Sequence, residues 1–162
     1  MLILGIDPGT TKSAWVLWDD EDEKILEMGL CENMELRNFF STATHNDCHF
    51  LGCHVAIEMV ASYGMPVGKE VFETCVWIGV FLRSLSKSDC IHDHFVYRKD
   101  VKLNLCGSVK AKDANIRQAL IDRFGEPGTK KNPGKLYGVK ADIWSAVAVA
   151  VTFSDLKKQL SK

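Results

Sequence analysis

The chain has 162 residues, 46% hydrophobic and 25% charged, which suits one globular domain spanning 1–162 with a core large enough to need no staples. No apolar run reaches the roughly 20 residues that span a bilayer, and the N-terminus lacks a basic segment followed by a cleavage site, so a cytoplasmic protein is expected. The net charge of -1 hides a division: residues 1–94 hold 6 Lys/Arg against 15 Asp/Glu, and residues 95–162 hold 14 against 6. Either the C-terminal half faces a polyanion such as nucleic acid, or the fold interleaves the halves and the charges cancel locally.

The run Leu2-Ile3-Leu4-Gly5-Ile6-Asp7 reads as a strand buried on both faces, stopped by the turn Pro8-Gly9-Thr10-Thr11. Ser13 to Trp18 is a second strand, so Asp7 sits near the mouth of a hairpin, either capping the turn or serving a site. The acidic turn Asp19 to Glu23 leads to a third strand, Lys24 to Leu30. A short helix from Met34 to Thr42 carries Leu36, Phe39 and Phe40 on one side. His54 to Val60 is the next strand, again interrupted by a carboxylate, Glu58.

Residues 61–69 form a loop into a long helix, Lys69 to Ser86. That helix is apolar nearly all round, so it lies deep in the core or buries a second face in a partner subunit. Phe95 to Tyr97 is a short strand, followed by a helical turn from Lys99 to Leu105 and a helix from Ala111 to Phe124. Residues 126–135, with two prolines, two glycines and three lysines, read as a mobile basic loop. The last helix runs from Ala141 to Gln159.

Three acids stand in apolar contexts: Asp7 at a strand end, Glu58 within a strand and Asp142 opening the last helix. A carboxylate among apolar neighbours must be paired, hydrogen-bonded or bound to a metal. If the elements adjoin, the three would form a hard-oxygen cluster for Mg²⁺ or Mn²⁺. Two such ions about 3.5–4 Å apart activate a water and stabilise the leaving oxygen in phosphodiester hydrolysis. Spacing alone does not bring the acids together.

Gly5-Ile6-Asp7-Pro8-Gly9-Thr10-Thr11, Ile57-Glu58 and Ala141-Asp142-Ile143-Trp144-Ser145-Ala146-Val147-Ala148-Val149-Ala150, in that order, resemble the RuvC-type Holliday junction resolvases of the RNase H-like superfamily. The resemblance points to a phage-encoded branch, which would place the protein in the cytoplasm of a bacterial or phage-infected cell. The resemblance implies an α/β fold with a five-stranded mixed sheet flanked by helices. It also implies a homodimer that nicks a four-way DNA junction symmetrically with Mg²⁺ or Mn²⁺. Asp7, Glu58 and Asp142 match the family's metal-binding, catalytic acids. Two departures stand out: the family's second acid in the last motif is Ser145 here, and Asp113 falls near a position where relatives carry a basic residue. Both are candidates for an outer shell.

Lys110, Lys112, Arg117, Lys130, Lys131, Lys135 and Lys140 are candidate nucleic-acid contacts flanking Asp142 in sequence. Tyr63 and Met65, just after Glu58, either wedge into a junction by stacking or simply pack. Cys31, Cys48, Cys53, Cys75, Cys90 and Cys106 form no framework and read as reduced thiols; Cys48-His49, Cys53-His54 and Cys90-x-His92-x-His94 match no familiar zinc spacing. Competing readings are a related RNase H-like nuclease acting on branched DNA or RNA, and a junction-binding module weakened in catalysis by Ser145. The first turn also resembles the phosphate loop of the actin and sugar-kinase superfamily, but the chain has no room for that fold's second lobe.

Overall fold

The computed structural model describes residues 1–43, 50, 52–86 and 91–160. Its main sheet contains β1 (Leu2–Asp7), β2 (Lys12–Asp19), β3 (Lys24–Glu32), β4 (His54–Met59) and β5 (Ile91–Tyr97), in the order β3-β2-β1-β4-β5. β1, β2 and β3 form an antiparallel meander, while β4 and β5 add in parallel on the other side of β1. This is the five-stranded mixed sheet expected of an RNase H-like fold. The helices are α1 (Asn33–Ala43), α2 (Lys69–Leu85), α3 (Arg98–Cys106), α4 (Asp113–Phe124) and α5 (Ile143–Leu160).

Strand alternation sorts the side chains into two cores. Leu4, Ile6, Leu17, Val55 and Ile57 pack with Leu36 and Phe40 of α1 and with Ile78 and Phe81 of α2. Ile3, Val16, Trp18, Ala56 and Val96 face the other way, against α3, α4 and α5. β1 is buried on both faces because it is the central strand, which explains its continuous apolar run.

The parity places the acids. Ile3, Gly5 and Asp7 alternate onto the α5 side, as do Ala56 and Glu58 on β4. β1 and β4 pair in parallel with Ile6 beside Ile57, so the next residue on each strand is an acid. α5 is buried from Ile143 through Ser154, except at the half-buried Ser145, and lies directly on β1. Gly5 is what lets it approach: a Cβ there would meet the carbonyl oxygen of Ala146 at 2.5 Å and the Ala150 methyl at 2.8 Å.

Two expectations need correction. Residues 126–135 are not a structureless loop: Gly128–Thr129 (β6) and Asn132–Pro133 (β7) pair antiparallel, closing a hairpin with Lys130 and Lys131 at its tip. β5 also begins earlier than Phe95, because pairing with β4 extends it back to Ile91, where local propensity gave no strand signal. α2 has one face in the core and one outside it, with Phe72 63% and Val76 65% exposed. Among the described residues no helix is long and apolar enough to cross a membrane.

Candidate active site

The turn after Asp7 is tied by other side chains. The Gly9 N–H donates to Ser13 Oγ at 3.1 Å, Ser13 Oγ donates to Asn33 Oδ1 at 2.6 Å, and Asn33 Nδ2 donates to the Gly9 carbonyl at 2.9 Å. Gly9 is required there, since a Cβ would strike the Lys12 carbonyl at 2.3 Å. The Asp7 carboxylate lies instead near the start of α5, where Ser145 and Asp142 both bear on its charge.

Asp142 stands at the start of α5. Its carbonyl accepts the N–H groups of Ser145 at 2.9 Å and Ala146 at 3.2 Å, and the preceding Ala141 takes a left-handed φ of 45°. That conformation costs a non-glycine residue about 1 kcal/mol or more and turns the chain sharply into the helix beside the sheet. Asp7, Glu58 and Asp142 are thereby drawn into one neighbourhood from β1, β4 and α5.

The electrostatics follow from burial. Loss of water raises the Asp7 pKa to about 7, and the charges of Glu58 and Asp142 push the same way; Arg98 and the Ser145 hydrogen bond oppose them. Burial likewise raises Glu58, with Asp113 adding to the rise and Arg98 opposing it. Arg98 is the cation at the centre. Its Nη1 lies 3.3 Å from Glu58 Oε2 and 3.5 Å from Ser145 Oγ, and its Nη2 pairs with Asp113 Oδ1.

Three carboxylates from adjoining elements, mutually repelling and short of positive charge, are in kind the donor set of a hard divalent cation. As placed, they are not closed around a common point: among the described residues no group of three His, Cys, Asp or Glu side chains is arranged to hold a metal ion. The Arg98 guanidinium lies against the group, on Glu58 and Ser145. Cys48, His49 and Cys90 of the zinc-like spacings lie outside the described residues.

No family model matches the sequence, and no curated protein matches it. Solved structures do. The Thermus thermophilus RuvC structure superposes with a TM-score of 0.73 at 17% identity, over 98% of this chain and 96% of that one. T. thermophilus RuvC in complex with Holliday junction substrate gives 0.74 at 14% identity, over the same shares. The chain has the RuvC fold.

On this fold the predicted basic residues take up different surroundings. Arg117 lies over the Trp144 ring at 4.9 Å and borders a cavity of about 270 Å³ with Arg98, Asp113, Asp142 and Ser145. Lys110, Lys112, Lys130, Lys131 and Lys140 are exposed. Lys135 is engaged within the molecule, 3.2 Å from Glu23. Tyr63, 62% exposed, and Met65, 71% exposed, stand out from the loop after β4, with Tyr63 at a left-handed φ of 49°.

Three basic residues escaped the sequence reading: Arg98, Lys99 and Lys102. With Tyr63 and Val109 they line a cavity of about 370 Å³. The available signal was an arginine directly after a strand, but its meaning depends on β5 lying beside β4 in parallel, with Val96 opposite Glu58 and Tyr97 opposite Met59.

Proposed function

We propose that this protein is a divalent-metal-dependent endonuclease that cuts four-way DNA junctions. The observation that carries the reading is the meeting of Asp7, Glu58 and Asp142 at the ends of β1 and β4 and the start of α5, in a chain with the RuvC fold. Asp7, Glu58 and Asp142 are the residues that would hold Mg²⁺ or Mn²⁺. When bound, such an ion supplies Lewis-acid charge stabilisation and lowers the pKa of an attacking water in phosphodiester hydrolysis.

The remaining work falls to the chain. Ser145, which accepts from Arg98 at 3.5 Å, favours the ionised form of Asp7. Arg117, over the Trp144 ring at the rim of the acidic cavity, is available to a phosphate there. Lys110, Lys112, Lys130, Lys131 and Lys140 extend the basic surface, and Tyr63 offers an exposed ring on which an unpaired base stacks. Cutting two strands of one junction requires two such sites. The exposed Phe72 and Val76 on α2 provide an apolar face on which a second copy docks to make a homodimer.

The test is cleavage of a labelled four-way junction beside matched duplex, three-way, flap and RNA–DNA hybrid substrates, with Mg²⁺, Mn²⁺ or EDTA. Paired, metal-dependent nicks confined to the four-way junction are expected. Equal cutting of flaps or hybrids would move the protein to the broader nuclease reading. Asp7→Asn should reduce cleavage to the EDTA background while junction binding persists, because the phosphate contacts come from other residues; retained cleavage by that variant would remove Asp7 from the site. Ser145, where an acid is missing, favours a second reading as a junction-binding module, and tight binding without cutting under either metal would select it.

A further inference from the structure

Arg98 begins α3 at the point where the edge strand β5 ends, one residue beyond the pairing of Tyr97 with Met59. Its guanidinium reaches two acid groups of different character. Inward, Nη1 meets Glu58, whose side chain is only 14% exposed, and also Ser145. Outward, Nη2 meets Asp113, whose side chain is 82% exposed. Arg98 also borders both the acidic cavity with Asp142 and the basic cavity with Tyr63 and Lys102. It is thus a cation that bridges one partner inside the acid cluster and one at the surface.

A guanidinium does not deprotonate in a protein, so its charge stays wherever the side chain goes. It satisfies part of the acid cluster when no metal is present, through Glu58 directly and Asp7 by field. A divalent cation drawn to the same carboxylates would meet like charge at close range, and repulsion is strongest beside Glu58, whose side chain is largely removed from water, whereas Asp142 is exposed.

We propose that Arg98 is a resident counter-cation of the acid cluster, which a divalent metal must displace from Glu58, and that Asp113 is the surface acid that holds the displaced guanidinium. This rests on the metal-binding reading proposed above. It assigns opposite effects to the two partners: removing Arg98 tightens metal binding, and removing Asp113 weakens it. A guanidinium that merely orients Glu58 for the metal predicts the reverse for Arg98, since its loss would leave the ligand loose.

The experiment is titration of the full chain with Mn²⁺ alone, read by the electron paramagnetic resonance of free Mn²⁺, with thermal melting in EDTA as a check of folding. Arg98→Gln should bind Mn²⁺ roughly tenfold more tightly than wild type, within the range of ordinary site-to-site couplings. Arg98→Lys keeps the charge and should stay near wild type. Asp113→Asn, a change at an exposed side chain that threatens no core packing, should weaken Mn²⁺ binding several-fold. In the double variant Arg98→Gln/Asp113→Asn the effect of the second change should largely vanish, because Asp113 acts through Arg98. Weaker binding by Arg98→Gln, or unchanged binding by Asp113→Asn, overturns the proposal while the metal site stands. A wild-type chain that binds no Mn²⁺ overturns both.

Discussion

Asp7 is held against ionisation by its surroundings, and this has a measurable price in the metal-free protein. Folded, its carboxyl titrates at about 7; unfolded, it returns toward the ordinary 3.8. Between those values the folded chain binds more protons than the unfolded one, so stability falls as pH rises from about 4 to about 7 and levels off above that. At about 1.36 kcal/mol per pH unit, the loss amounts to at most about 4 kcal/mol. Urea unfolding in EDTA at pH 5 and pH 8 should show the wild type weaker at pH 8, with Asp7→Asn much less sensitive. Equal slopes for the two proteins would mean that Asp7 ionises as freely in the fold as outside it. Asp7 and Glu58 stand out in the sequence because each is a carboxylate in an apolar strand run, whereas Asp142, at a helix start, stands out only beside them and through the family resemblance. Arg98 does not: an arginine after a short strand is unremarkable until β5 is placed beside β4.

At the scale of elements, the site depends on how closely α5 lies on β1. Gly5 sets that distance, since an added Cβ would run into the Ala146 backbone, which cannot swing aside as a flexible side chain can. Gly5→Ala should therefore destabilise the fold by about 1–3 kcal/mol, in the range of overpacked cores. It should also weaken Mn²⁺ binding by shifting Asp142 and Ser145 away from Asp7. Chemical denaturation and metal titration on the same variant check both, and a variant that loses neither would mean the helix relaxes without cost. The elements themselves were largely legible, because apolar runs of strand length and helical periodicity survive in the sequence. The β6–β7 hairpin was missed because its strands are two residues each and lack any apolar pattern. β5 was shortened because its pairing with β4 is non-local.

For the whole molecule, the charge division between the halves is partly consumed within the fold. Lys135 pairs with Glu23, Lys158 with Asp20 and Arg98 with Glu58, each joining the basic half to the acidic one. The second alternative from the sequence therefore holds in part, since some charge cancels locally, while Lys110, Lys112, Lys130, Lys131 and Lys140 remain exposed. If these contact phosphates, junction affinity should fall by about 10³-fold or more between 50 and 200 mM salt, as for roughly six neutralised phosphates. Replacing Lys130 should reduce the slope of log affinity against log salt by about 0.9. Replacing Lys135, already bound to Glu23, should change it less. Equal effects from the two lysines, measured by fluorescence anisotropy across a salt series, would refute the distinction.

The acids of the candidate site come from opposite ends of the described chain, with Asp7 on β1 and Asp142 and Ser145 at the start of α5. A ribosome therefore makes β1 and β4 long before the residues that complete the cluster. Until α5 emerges and docks along Gly5, a growing chain displays two acids without their third partner. The candidate cluster is therefore the last part of the molecule to be assembled, complete only once α5 has folded onto the sheet.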